Sequence, residues 1–293
     1  MQRAEFADPA AVSAALDATG YLSDAGLATA AFLAIRMRRP LFLEGDPGVG
    51  KTALAQALAV VTGSRLLRLQ CYEGIDASQA LYDWDFPRQI LHLRAGADSV
   101  DPGERADLEA GLYDRRFLIA RPILQALEGG PAVLLVDEID RADDEFEAFL
   151  LEVLAEHSVT IPELGTITAE TPPLVVITSN RTREVHDALK RRCLYHWVAH
   201  PDFAREVAIV RRRAPEVSQQ LAEDVAGAVL RLRESNLQKP PGVAETIDWA
   251  QALHALGAPR LDAQSAEVTL GAAVKYREDM VRVQRELATL LAR

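Results

Sequence analysis

The chain has 293 residues, 49 % hydrophobic and 26 % charged, enough for one large or two ordinary globular units around a sizeable core. Its 32 Lys and Arg against 43 Asp and Glu leave a formal net charge of -11, which argues against a footprint spread along a nucleic-acid backbone or an anionic membrane. No run of about 18 apolar residues occurs; MQRAEFADPAAVSAALDATG lacks a secretory pattern; and Cys71 and Cys193, without metal-ligand spacing, suit a reducing compartment as small buried residues. The expected location is cytoplasmic.

Residues 9–38 read as helix, with Leu27, Ala31, Ala34 and Ile35 at helical spacing and a basic end at Arg36, Arg38 and Arg39. Pro40 stops that helix, and LFLEG follows as a short buried strand. Helix is expected over Thr52–Val61 and strand over Leu66–Leu69. Between Cys71 and Pro122 the chain is polar and mixed, carrying YDWDFP and the acidic stretch ADSVDPGERADLEAGL, and reads as loops or a small hairpin. PAVLLVDEID is a buried strand with an acidic C-terminal end, followed by helix over Asp144–Glu156. VTIPELGTI reads as a β-hairpin arm, its β-branched residues flanking Pro162 and Gly165, and PLVVITSN as another buried strand. After Pro201 only helical patterns remain. The βα alternation predicts a parallel sheet covered by helices over residues 1–200, then a helical unit over 201–293.

Gly45–Thr52 reads GDPGVGKT, a full match to G-x-x-x-x-G-K-[ST], between a strand and a helix former. Glycines let the backbone curl so that the N–H groups of Gly45, Asp46, Gly48, Val49 and Gly50, with Ala53 in the helix's first turn, gather around phosphate oxygens. Pro47 has no N–H to give and shapes the loop. Lys51 is expected to neutralise the β- and γ-phosphates of a nucleoside triphosphate, and Thr52 to ligate Mg²⁺. An ordinary Gly-rich turn is the plainer reading of the same residues.

Asp137 and Glu138 end the strand AVLLV, at the sheet edge where ligands of open parallel sheets gather. Asp137 is expected to hold the Mg²⁺ and Glu138 to act as general base on the attacking water; an acidic first turn of the next helix is the plainer account. LVVITSN ends a third strand in Asn180, an amide able to orient that water, or simply a turn asparagine. Arg191 and Arg192 follow at the end of VHDALK. They suit phosphate and would complete a neighbouring subunit's site, if not merely a basic helix end.

GDPGVGKT, LLVDEID, VVITSN and ALKRRC in this order resemble an AAA+ ATPase. DEIDRAD with EFEAFLLEVLAEHSVTIPELG is similar to MoxR-type members, and RLQCYEGIDASQALYDWDFPRQIL, RRCLYHWV and PPGVAETIDWAQAL look most like the CoxD-type ATPases encoded beside carbon monoxide dehydrogenase. The resemblance implies a P-loop NTPase core with a helical lid, and an ATP-driven hexameric ring. Such a chaperone matures a client metalloenzyme, such as a molybdenum hydroxylase, with a von Willebrand factor A domain partner. It also matches Lys51 and Thr52 to Walker A, Asp137 and Glu138 to Walker B, Asn180 to sensor 1, and Arg192 with Arg191 to the arginine finger. VTIPELGTI matches the pre-sensor 1 hairpin. Residues 242–246 contain no arginine where sensor 2 is expected: either Arg260 or a neighbour's side chain replaces it, or lid movement is coupled to nucleotide differently, and sensor 2 stays unassigned. A nucleic-acid motor and a non-hydrolysing switch are the competing classes.

Three further signals carry less. His196-x-x-x-His200 has helical metal-ligand spacing but lies in a strand pattern, where four residues span about 13 Å. The run Arg211–Arg213 reads as a solvated helix face or an intersubunit contact, and Trp84 as a loop anchor rather than a substrate contact.

Overall fold

The computed structural model describes residues 6–96 and 111–291; most of the acidic stretch 97–112 lies outside them. Two short helices open it, α1 (Pro9–Ala18) and α2 (Ala25–Met37). The single helix expected over 9–38 is therefore broken. Gly20 turns at a φ of 87°, and Asp24 starts the second helix by accepting from the N–H of Leu27.

The central sheet holds β1 (Leu41–Glu44), β2 (Arg65–Gln70), β5 (Ala132–Asp137), β8 (Leu174–Ser179) and β9 (Leu194–Trp197). They are parallel, in the order β2-β5-β8-β1-β9. Between them run α3 (Lys51–Val61), α4 (Ala77–Leu81), α5 (Phe86–Gly96), α6 (Pro122–Glu128), α7 (Asp144–Glu156) and α8 (Asp187–Arg192). Alternate strand residues feed two cores, as a doubly covered sheet requires. Leu41, Leu43, Val133, Leu135 and Val176 pack with α1, α2 and α3. Phe42, Leu134, Val136, Val175 and Ile177 pack with α6 and α7.

The mixed region after Cys71 contributes β3 (Tyr82–Trp84) and β4 (Leu118–Ala120), an antiparallel pair. Trp84 sits edge-on to Tyr82 and Tyr113, with ring centroids 5.9 and 5.3 Å away, as an anchor would. VTIPELGTI forms the expected hairpin, β6 (Ser158–Ile161) with β7 (Gly165–Thr168).

The C-terminal region is helical: α9 (Phe203–Arg213), α10 (Gln219–Glu234), α11 (Val243–Ala255), α12 (Ala263–Ala273) and α13 (Arg277–Leu291). It closes a third core around Trp249, Val229, Leu232, Leu253 and Leu270. Of the basic run on α9, Arg212 donates to the carbonyl of Asp17 at 2.7 Å, tying α9 to α1. Both cysteines are buried, and burial pushes their thiols up to about 12, so neither is a thiolate at neutral pH. Among the described residues no helix is long and apolar enough to cross a membrane.

Candidate functional site

β1 delivers the glycine loop directly onto α3. Gly50 caps that helix at a φ of 95°, a conformation that would strain any side chain, and no side chain caps the first turn. The amides of the turn are thus kept for whatever occupies the loop. Lys51 folds back, Nζ donating to the carbonyls of Gly45 at 2.7 Å and Asp46 at 2.8 Å. Burial lowers the pKa of this ammonium, against the pull of Asp140, Asp46, Asp137 and Glu138. An incoming anion would restore the balance those carboxylates begin.

β5 brings Asp137 to the same end of the sheet. Its buried carboxylate accepts from the hydroxyls of Thr178 at 2.6 Å and Thr52 at 3.1 Å, and from Arg68 at 2.6 Å. Two hard oxygens, Thr52 Oγ1 and Asp137 Oδ1, therefore stand side by side, the donor set Mg²⁺ favours. No cluster of three His, Cys, Asp or Glu suited to a metal occurs among the described residues; a Mg²⁺ held by this pair would take its other oxygens from water and phosphate.

Glu138 adopts the left-handed conformation at φ 56°, ψ 52°, uncommon for a non-glycine residue. Its N–H donates to Thr178 Oγ1 at 2.9 Å, holding the turn. The carboxylate then meets three donors: Gln70 Nε2 at 3.0 Å, Arg141 Nη1 at 3.2 Å and Asn180 Nδ2 at 3.4 Å. Glu138 and Asn180, expected together from separate strands, are neighbours. Behind them Asp140 accepts from the N–H of Asn180 at 3.1 Å and from Thr182 through both N–H and hydroxyl. Burial pushes the Asp140 carboxyl up, but these bonds outweigh it and leave it below the ordinary carboxylate value.

Sequence reasoning missed Gln70, Arg68 and Arg141. Gln70 pairs in register with Asp137 across β2 and β5, so the strand-end logic that selects Asn180 applies equally to it.

Arg191 and Arg192 stand apart. Arg191 pairs with Asp187 at 2.7 Å and its side chain is 79 % exposed. Arg192 Nη1 donates to the carbonyl of Leu151 at 2.7 Å. Arg39 fastens the end of α8 by donating to the carbonyls of Arg191, Arg192 and Cys193. Among the described residues neither guanidinium bonds to the glycine loop, Asp137 or Glu138.

A cleft of about 190 Å³ lies beside the loop, walled by Tyr21, Val49, Gly50, Ala53, Ile209 and Ile247 among others. Its aliphatic and aromatic walls suit a planar base next to the phosphate cradle. The start of α11 closes over the loop: the N–H of Val243 donates to the carbonyl of Gly48 at 3.0 Å. Arg260 does not reach this cleft, being paired with Asp224 at 3.1 Å, whereas Arg205 and Arg213 line it. The two histidines serve different neighbours. His196 lies against Gly26 and near Asp24 of the α2 start, while His200 Nε2 meets Asp46 of the loop at 3.2 Å.

Residues 40–193 match the family model described as AAA domain (dynein-related subfamily). Midasin of Giardia intestinalis is 50% identical over 48 residues, 16% of this chain and 1% of that protein. Protein MoxR of Methylorubrum extorquens is 32% identical over 131 residues, 44% of this chain and 30% of that protein. The matches thus span less than a third of either relative's length. Among solved structures, a point mutant of Thermotoga maritima RuvB superposes with a TM-score of 0.50 at 18% identity, covering 98% of this chain and 81% of that one. It shares the fold. The Thermotoga maritima RuvB Holliday junction branch migration motor gives a TM-score of 0.46 at 21% identity, covering 82% and 65%.

Proposed function

The chain belongs to the AAA domain family, dynein-related subfamily, and on that premise we propose that it is a Mg²⁺-dependent ATPase of the MoxR type, acting as a ring-forming chaperone on a client metalloenzyme. The observation that carries the ATPase reading is the convergence of Thr52, Asp137, Glu138 and Asn180 at the C-terminal ends of adjacent parallel strands and the start of α3.

In this reading ATP lays its base in the cleft between the loop and α11, and its phosphates in the cradle Gly45–Thr52. Lys51 leaves the carbonyls of Gly45 and Asp46 to meet the β- and γ-phosphates. Thr52 and Asp137 would hold the Mg²⁺, which when bound offsets the charge of the transferring phosphoryl group. Glu138 takes a proton from the attacking water, and Asn180 orients that water from the neighbouring strand. Arg192, with Arg191 beside it, completes the site of an adjoining protomer, which is why both lie away from their own Glu138. The α/β part over 1–200 is the motor and the helical part over 201–293 a lid. The client is a molybdenum hydroxylase such as a carbon monoxide dehydrogenase, approached with a von Willebrand factor A domain partner in the cytoplasm. The CoxD-like phrases support this finer reading, and the match to MoxR its coarser part.

Glu138→Gln keeps the shape of the base and removes its proton affinity. The variant is expected to bind fluorescent mant-ATP as the unmodified chain does and to release phosphate at least about 100-fold more slowly. Equal phosphate release by the two proteins would reduce the chain to a nucleotide switch.

A further inference from the structure

The cation on Asp137 comes from the edge of the sheet. Arg68 lies on β2, two residues before Gln70 and on the same face, and among the described residues β2 is paired on one side only, by β5. A single amino group, Nη2, donates at 2.6 Å to Asp137 Oδ2 and at 2.6 Å to Gln70 Oε1. The other end of the Gln70 amide donates to Glu138 at 3.0 Å. One guanidinium therefore touches the carboxylate expected to hold the metal and, through Gln70, steadies the carboxylate expected to serve as base.

Exposure separates the two partners. The Asp137 side chain is 4 % exposed and that of Arg68 53 %. A carboxylate so buried is costly without a compensating charge, while a half-exposed arginine on an edge strand is free to turn into solvent. A divalent ion arriving at Asp137 would supply the compensation itself, and at that range it would repel the guanidinium.

We propose that Arg68 is the resident counter-ion of Asp137, a positioning residue that Mg²⁺ must displace as nucleotide enters, so that it sets the Mg²⁺ concentration the site requires. The inference rests on the nucleotide reading given above. Displacement also frees the carbonyl side of the Gln70 amide, and with it one of the donors that restrain Glu138. With Arg68 in place the Asp137 charge is balanced and the base tethered through Gln70; displacing Arg68 would release both.

Binding of mant-ADP to the full chain, followed by fluorescence anisotropy while free Mg²⁺ is titrated, reads this without turnover. Arg68→Gln removes the competing charge from an exposed position, so the fold is expected to survive, and the Mg²⁺ midpoint is expected to fall about threefold or more. Arg68→Lys keeps a cation and is expected to leave the midpoint within about twofold of the unmodified value. An unchanged or raised midpoint in Arg68→Gln, with nucleotide still bound by the unmodified chain, overturns the counter-ion role alone. A lysine variant that shifts as far as the glutamine variant overturns the part played by charge. Failure of the unmodified chain to bind mant-ADP at any Mg²⁺ concentration overturns the nucleotide reading and this inference with it.

Discussion

Burial lowers the pKa of the His200 imidazole, and Arg233 lowers it further, against the opposing carboxylates of Asp46 and Glu206. A histidine depressed in the folded chain costs nothing while pH stays above its unfolded value of 6.5. As pH falls through that value the unfolded chain takes up a proton that the folded chain does not, and stability is lost. His196, depressed first by its own burial, adds to the same window. The melting temperature is therefore expected to drop as pH falls below about 7, and His200→Gln to flatten part of that slope. Calorimetric scans of both proteins across the window check it, and an unaltered slope would remove His200 from the account. The placement of Lys51 and Thr52 at the start of α3 was legible at this scale because spacing within one loop marks it. Arg68 was not, because its partner is set by the register of β2 against β5, which places Gln70 opposite Asp137. The left-handed turn at Glu138 was equally silent, since it depends on a hydroxyl from the next strand.

Elements carry the link between the loop and the helical region. Gly242 precedes α11 as its N-cap, at a φ of -83° that any residue could adopt. Space forbids a side chain there instead: an added Cβ would meet Gly48 Cα and the carbonyl oxygen of Pro47, both at 2.9 Å and both backbone. Gly242→Ala must therefore lift the helix start from the loop. It is expected to cost about 1–3 kcal/mol, as overpacking does, and to weaken mant-ADP binding several-fold because the cleft wall at Val243 and Ile247 moves with the helix. Melting temperature and nucleotide affinity measured together check it; unchanged values for both would show that the loop yields without cost. The need for glycine here lies in a contact with Gly48, far away in sequence, so nothing local announces it. By contrast the hairpin over residues 158–168 was readable, because Pro162 and Gly165 punctuate β-branched runs. The break between α1 and α2 carried a local signal in Asp24, a helix-capping residue. The apolar spacing runs across that break because both helices bury their faces in one core.

For the whole molecule the proposal of a ring turns on the two outward arginines. α8 is fixed at its end by Arg39 and by Arg192 on the carbonyl of Leu151, so the pair is held at a defined place rather than trailing. An arginine acting across subunits is worth about 10³–10⁵ in rate where such fingers occur. Arg192→Ala is accordingly expected to bind nucleotide normally and to lose at least about 100-fold in phosphate release. The parallel sheet was legible from the βα alternation, though its strand order was not; a contact between copies would leave no periodic trace, and only the placement of α8 relative to Glu138 gives it a physical motive. The decisive measurement mixes Arg192→Ala with Glu138→Gln, each expected to be slow alone. If the finger acts in trans, an interface formed by the intact arginine of one protomer and the intact glutamate of the other regains turnover, and the mixture outpaces the sum of its parts. Light scattering first establishes assembly, and fluorescence transfer between labelled variants establishes subunit exchange. A mixture that demonstrably exchanges yet stays silent would place the action of Arg192 within its own chain, and the need for a neighbour would disappear with it.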